Sequence, residues 1–80
     1  MATKRKIRPL RERFGKRLRS LRIAAGLTQE QLAEKSDISV DFLSLIERGR
    51  NSPSFDNLDS LASALQLPAS DLFIFEEDGK

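Results

Sequence analysis

The sequence predicts an all-α protein folded as one compact bundle of five short helices. In two stretches, apolar residues recur three and four positions apart, which is the period of one helix face. Between and after these stretches, residues that cap or end helices recur at short intervals. The chain has 80 residues, enough for a single domain. It has no cysteine, so its small core gains no support from disulfides.

The first helix follows a basic arm, residues 1–8, that shows no apolar periodicity. Pro9 suits the first turn of this helix. One stripe of apolar residues then runs along it at spacings of four, four, three and four: Leu10, Phe14, Leu18, Leu21 and Ala25. Gly26 follows as a left-handed C-cap, so the helix is expected to end at that position.

Two helices of about eight residues are predicted next, joined by a tight turn. Thr28 and Gln31 form a capping box that opens a helix over residues 29–36. Ser39 caps a third helix over residues 40–48. The residues that end these helices tolerate left-handed backbone: Asp37 and Gly49. Two short helices joined this tightly form a helix-turn-helix, whose second helix can enter the major groove of DNA.

The fourth helix carries the clearest amphipathic pattern. After a loop rich in turn residues, Ser54 caps a helix whose apolar positions are i, i+3, i+4 and i+7: Leu58, Leu61, Ala62 and Leu65. Pro68 then begins a fifth helix over residues 69–75, before a polar tail at 76–80. The predicted domain therefore spans residues 9–75.

The composition argues against catalysis, metal binding and membrane insertion. The chain has no Cys and no His, so the usual zinc ligands and the usual general base at neutral pH are absent. No apolar run approaches the length of a membrane span, and no apolar segment follows the basic N-terminus as in a signal peptide. We therefore expect a cytoplasmic protein that is not an enzyme and takes no metal, cofactor or small-molecule ligand.

The charges are segregated along the chain. Residues 4–22 carry ten basic side chains and one acid, whereas the rest carries four basic residues and eleven acids. A basic N-terminal segment followed by an acidic remainder is expected where one face of a protein binds a polyanion. The alternative interpretation is a solvated helix with a charged exterior. The arm residues Lys4, Arg5 and Lys6 would reach the DNA, or serve only as a solubilising tail.

The third helix carries the candidates for reading base edges. At 100° per residue, Leu43 and Ile46 define its inward direction. The candidates lie on the outward side or at the flank: Val40, Asp41, Ser44 and Leu45. Asp41 can accept from cytosine, Ser44 can pair with several bases, and the aliphatic groups can contact a thymine methyl. Asp41 equally suits the helix dipole, and Leu45 equally suits a protein-contact patch.

Other polar residues are candidates to contact DNA phosphates. Gln29 lies at the start of the second helix, where free backbone N–H groups attract anions. The remaining candidates lie at the ends of the third helix, in the loop after it and on the first helix: Ser39, Arg48, Arg50, Asn51 and Arg17. Such contacts position a protein on the duplex without reading its sequence.

Glu47 projects on the same side of the third helix as Leu43, toward the core. An unpaired buried charge is strongly unfavourable, so we expect a partner for it. Arg22, at the end of the first helix, is the predicted partner. Such a pair would lock the third helix against the first.

The run Leu72-Phe73-Ile74-Phe75 is the predicted dimer seam. One short helix turns only some of these side chains inward, so the others would need a partner to cover them. The alternative is that all four complete the core of the monomer. A dimer would place its recognition helices roughly 34 Å apart, one turn of DNA, and would bind a pseudo-palindromic site.

Three segments carry a specific resemblance: residues 14–22 (Phe-Gly-Lys-Arg-Leu-Arg-Ser-Leu-Arg), 26–33 (Gly-Leu-Thr-Gln-Glu-Gln-Leu-Ala) and 46–50 (Ile-Glu-Arg-Gly-Arg). With Pro53-Ser54 and Leu72-Phe73, they resemble the Cro and phage-repressor (XRE-type) helix-turn-helix family over residues 10–73. The resemblance implies a five-helix domain of the phage-repressor type and operator binding as a two-fold dimer. It also implies the Arg22–Glu47 salt bridge, a phosphate contact by Gln29 and base reading by the four candidates. Asp37 stands where the family usually has Gly.

The predicted function is a sequence-specific, double-stranded DNA-binding regulator of transcription that acts as a homodimer. Members of this length resemble Cro repressors or the controller proteins of restriction–modification systems. An antitoxin or adaptor that uses the same fold to bind proteins is the alternative, supported by the apolar Val40 and Leu45. A single-strand or RNA binder is a third hypothesis, but the chain has no Tyr or Trp for a stacking platform.

Overall fold

Four α-helices and one 3-10 helix follow one another along residues 7–75, the part of the chain that the structure, a computed structural model, describes. Their bounds are α1 Leu10–Ala24, α2 Gln29–Ser36, α3 Val40–Glu47, α4 Phe55–Leu65 and the 3-10 helix Ala69–Phe73. No strand occurs among these residues, so the predicted all-α fold is confirmed. None of these helices is long and apolar enough to cross a membrane. Lys4, Arg5, Lys6 and the tail 76–80 lie outside the described residues.

Side-chain caps start three of the α-helices. Thr28 Oγ1 accepts from the Gln31 backbone N–H at 3.1 Å, and Gln31 Oε1 accepts from the Thr28 N–H at 2.9 Å. Ser54 and Asn57 form a second capping box at the start of α4. Ser39 accepts from the backbone N–H three residues later and so begins α3. These bonds satisfy donors that a helix start otherwise leaves free, and they fix where each helix begins.

All five elements contribute to one core, whose fully buried side chains are Leu18, Leu32, Leu43, Ile46, Leu61 and Leu72. α1 packs on α3, α2 on α4, and the 3-10 helix lies against α1 and α4. The stripe predicted for α1 is buried only in its middle. Leu10 and Ala25 are exposed, because the 15-residue α1 is nearly twice as long as the 8-residue α3 beneath it.

The fifth helix predicted over residues 69–75 is shorter and of another type. Residues Ala69–Phe73 form a 3-10 helix, and Ile74 is extended at φ −91° and ψ 109°. Pro68 precedes this turn without a side-chain cap, and five residues form too few i→i−4 bonds to offset the cost of α-helix nucleation. Leu72 is fully buried in the core, so the prediction that it lies in a dimer seam is wrong for this fold.

Candidate nucleic-acid interface

The turn between α2 and α3 fixes how α3 crosses α2. Asp37 adopts a left-handed conformation with φ 59° and ψ 42°, which Asp tolerates better than most residues. The Ile38 backbone N–H then donates to the Ala33 carbonyl at 3.0 Å, and Ile38 packs against the core. The chain enters α3 directly at the Ser39 cap. The described structure thus contains the predicted helix-turn-helix.

One side of α3 is buried and the other presents a mixed surface. Asp41 is exposed, whereas Val40, Ser44 and Leu45 are half-buried. Positions i, i+1, i+4 and i+5 share one side of a helix, so the fold brings the four candidate base-reading residues together. A carboxylate, a hydroxyl and two aliphatic groups suit contact with a cytosine amino group and a thymine methyl.

A buried ion pair joins the end of α1 to the end of α3. Arg22 Nε donates to Glu47 Oε2 at 2.6 Å, and Arg22 Nη2 donates to Glu47 Oε1 at 3.0 Å. Arg22 Nη1 donates to the Leu27 carbonyl at 2.9 Å, so each of the three guanidinium nitrogens donates one hydrogen bond. The hydrogen bond to Glu47 raises the pKa of Arg22 above its ordinary value, against the opposing effect of burial. The two residues paired on sequence grounds therefore meet, and their fork ties α3 to α1.

Gln29 joins this ion pair, a contact that the sequence reasoning missed. Its Nε2 donates to Glu47 Oε1 at 3.0 Å, the same oxygen that accepts from Arg22 Nη2. Gln29 is half-buried at the first position of α2, where the sequence predicts a phosphate contact. No sequence pattern links a glutamine to a glutamate 18 residues away, so only the crossing of α2 and α3 reveals the bond.

The N-terminal half of α1 clamps the C-terminal end of α3. Arg11 Nε donates to the Gly49 carbonyl at 3.0 Å. Gly49 has φ 74°, and a Cβ there would lie 2.9 Å from Glu12 Cγ. Gly15 allows an even closer approach, since a Cβ at that position would overlap the Ile46 carbonyl oxygen. A glycine inside a helical pattern is the sequence signal of such a contact.

The predicted phosphate contacts fall into two groups. Those that border α3 are exposed: Ser39, Arg48, Arg50 and Asn51. Asn51 Oδ1 accepts from the Ser52 backbone N–H at 2.8 Å, which orders the loop after α3. Arg17 is not brought together with this group, because its Nε donates to the Asp71 carbonyl of the 3-10 helix at 2.9 Å. Gly15 faces α3, and Arg17, two positions further along α1, faces the other side.

An apolar groove lies beside the C-terminal segment. The Phe73 ring centroid is 5.2 Å from that of Phe14 and 6.2 Å from that of Phe75. The apolar side chains that line the groove are Leu10, Phe14, Pro53, Phe55, Leu58 and Phe73. Phe55, the first residue of α4, is 86% exposed. The sequence reasoning missed Phe55 because it directly follows the Ser54 cap and lies outside the apolar stripe of α4.

The tight turn between α2 and α3, the Ser39 cap and the exposed side of α3 are the features of a DNA-binding helix-turn-helix domain. Residues 18–72 match the helix-turn-helix family HTH_3. The chain therefore belongs to this family, as its sequence motifs indicate. Among residues 7–75, no group of three acidic, His or Cys side chains is placed to hold a metal ion.

Relatives with this domain are regulators. The chain is 40% identical over 65 residues to the transcriptional regulator ClgR of Mycobacterium tuberculosis, a match that covers 81% of this chain and 58% of ClgR. It is 34% identical to the control protein C.BamHI of Bacillus amyloliquefaciens, over 82% of this chain and 83% of that protein. The solved structure of the restriction-modification controller protein C.AhdI of Aeromonas hydrophila matches with a TM-score of 0.77 and 41% identity, over 79% and 96% of the two chains. The chain thus spans less than two thirds of ClgR but most of both controller proteins.

Proposed function

We propose that the protein is a sequence-specific, double-stranded DNA-binding regulator of transcription in which α3 is the recognition helix. The outward face of α3, which presents Asp41, Ser44 and Leu45, carries this proposal. The opposite face of α3 is fixed to α1 by the buried ion pair and by the close helix contacts at Gly15 and Gly49. A helix held this firmly can enter the major groove and read base edges. The regulators among its relatives support the same function.

The proposed backbone contacts lie at both ends of the recognition helix. Gln29 and Ser39 lie at the starts of α2 and α3, where helix dipoles favour phosphate. Arg48, Arg50 and Asn51 follow the end of α3 and are exposed. We leave Arg17 out of this set, because its guanidinium binds the 3-10 helix on the other side of α1.

We further propose that the protein acts as a homodimer joined through Phe73, Ile74 and Phe75 and the groove beside them. Phe73 is 40% exposed and Ile74 is 53% exposed. With Phe55, they are large apolar side chains that the single chain leaves exposed to water and that a partner chain would cover. A two-fold dimer would align two recognition helices with a pseudo-palindromic operator. The extensive match to C.BamHI and C.AhdI favours a controller of a restriction–modification system.

The direct test is selection of bound sequences from a random duplex library. Binding of the selected duplex and of a scrambled duplex is then compared across a salt series. We expect the selected duplex to be two-fold symmetric and to be bound by the protein at least ~10³-fold more tightly than the scrambled duplex. Equal binding of both duplexes, lost steeply as salt rises, would show that the protein recognises only phosphates and would overturn the proposal.

A protein-interaction module is the second candidate function. The observation that favours it is the large exposed fraction of Phe55, next to an apolar groove. In this alternative, an antitoxin or adaptor would use the groove for a partner protein. Loss of sequence preference in the duplex selection, together with a soluble monomer in sedimentation, would favour it over the DNA-binding dimer.

A further inference from the structure

The two ends of the described chain meet at Arg13. Its Nε donates to the Arg8 carbonyl at 3.0 Å, just before α1 begins. Its guanidinium carbon lies 5.1 Å from the centroid of the Phe75 ring, at the other end of the described residues. Phe75 makes an edge contact with Phe73, whose ring packs on Phe14 of α1. The chain therefore enters and leaves the domain at neighbouring points on α1.

The segments that continue from these two points carry opposite charges. Residues 4–6 are Lys-Arg-Lys, and residues 76–78 are Glu-Glu-Asp. Because a chain spans at most about 3.6 Å per residue, the Cα atom of residue 78 lies within ~11 Å of that of Phe75, and the Cα atom of residue 4 within ~14 Å of that of Arg8. Three acids and three bases tethered this closely meet at a high effective concentration. We therefore expect the acids to attract the bases.

Pairing of the two segments would compete with DNA binding by the arm. The arm bases are candidates to contact DNA phosphates, and a carboxylate takes the same charged hydrogen-bond donors as a phosphate does. Each exposed ion pair is weak and is screened by salt. A duplex can therefore displace the acids, but the displacement reduces the net gain from the arm.

We propose that the acidic segment Glu76–Asp78 pairs with the basic arm segment Lys4–Lys6 of the same chain and competes with DNA phosphates for it. The inference rests on the proposed DNA-binding function and adds a means of regulation to it. The arm alone then binds a duplex weakly. A duplex whose bases are also read by α3 supplies enough additional binding energy to displace the acids.

A distance measurement on the free protein tests the pairing itself. The chain has no cysteine, so Thr3→Cys provides a single site for a spin label beside the arm bases. We expect the label to broaden the backbone amide NMR signals of residues 76–78. The broadening should be largely lost in ~1 M salt, where the Debye length is about 3 Å. Absent broadening, or broadening that salt does not change, would overturn the proposal.

The matched control is a neutral tail of the same length, made by Glu76→Gln, Glu77→Gln and Asp78→Asn. The label should broaden its signals much less, because only the charges differ. Equal broadening would show that the tether alone brings the segments together. A sample that mixes spin-labelled chains with isotope-labelled chains separates pairing within one chain from pairing between two. Broadening found only in the mixed sample would contradict pairing within one chain.

A cycle of variants tests the competition with DNA on the scrambled duplex. The neutral tail is combined with a neutral arm, made by Lys4→Gln, Arg5→Gln and Lys6→Gln. We expect the neutral tail to tighten binding by about 3- to 10-fold at low salt. It should also make the slope of log K against log salt steeper by about 1–2. In the neutral-arm background the effect of the tail should be less than ~2-fold. An equal gain in both backgrounds would show direct repulsion between tail and DNA and would overturn the proposal.

The distance measurement uses no DNA, so it is independent of the proposed function. Absent broadening together with clear sequence preference in the duplex selection would reject the pairing and leave the proposed function intact. Broadening together with no duplex binding would overturn both the competition and the proposed function.

Discussion

Gly15 lies directly against the carbonyl oxygen of Ile46, so that no side chain fits between α1 and the end of α3. A Cβ at Gly15 would overlap this oxygen and lie 2.8 Å from the Glu47 carbonyl oxygen. Both neighbours are backbone atoms at the helix terminus, so they cannot move without shifting α3. The close approach of α1 to α3 therefore requires a residue without a side chain at position 15.

Gly15→Ala should lower the free energy of unfolding by about 3 kcal/mol, because the added methyl overpacks a backbone contact. Thermal or urea unfolding measures this loss. Gly26→Ala is the matched control. Gly26 has φ 76°, and no atom lies within 4 Å of a Cβ built there. That change should cost only about 1 kcal/mol, through its left-handed backbone. Equal losses in the two variants would argue against the close approach.

Arg22→Ala and Glu47→Ala should each destabilise the fold by roughly 3–5 kcal/mol, because each leaves a buried charge without its partner. The double variant should lose less than the sum, as unfolding in urea would show. Strictly additive losses would show that the two side chains do not stabilise each other. Arg8→Ala, which breaks an exposed pair with Glu12, is the control and should cost less than ~0.5 kcal/mol.

The pH dependence of this pair follows from the pKa of Arg22. This pKa is raised in the folded protein, so the stabilisation is fully present below the ordinary arginine range. It is lost only as pH rises through the folded value. The ionisation of Arg22 should therefore cause no change in the free energy of unfolding across neutral and mildly alkaline pH. Equilibrium unfolding at several pH values checks this expectation.

Patterns local to one helix were predictable from the sequence. The 100° rotation of α3 correctly placed Glu47 inward, and cap chemistry correctly began α2 at Gln29. Contacts set by helix crossing were not predictable, because residue type alone does not say which elements meet. The hydrogen bond of Arg17 to Asp71 and the groove between Phe55 and Phe73 both depend on where the chain returns after α4.

Ser36→Ala should raise the free energy of unfolding by about 0.5–1 kcal/mol. The Ser36 hydroxyl is buried and has no hydrogen-bond partner within the described residues, so its desolvation is uncompensated. Ser63→Ala, at an exposed position of α4, is the control for helix propensity alone. A loss of stability in Ser36→Ala, set against the control, would mean that the hydroxyl does find a partner in solution.

Ile74→Ser should convert the proposed dimer to a folded monomer, because Ile74 is an exposed apolar side chain of the seam. Sedimentation over a concentration series measures the mass. Ile23→Ser is the control, since Ile23 on α1 is similarly exposed, at 52% against 53% for Ile74. It should leave the oligomer unchanged. An unchanged mass in Ile74→Ser would place the dimer interface elsewhere.

In the proposed function, the outward face of α3 reads the DNA sequence. The most direct test compares the duplexes selected by the wild-type protein with those selected by a double variant, Asp41→Ala with Ser44→Ala. Both side chains lie on the solvent side of a fixed helix, so the variant should fold. We expect altered base preference at equivalent positions of the two half-sites and an unchanged salt dependence, since phosphate contacts remain. An identical selected sequence would contradict base reading by these residues.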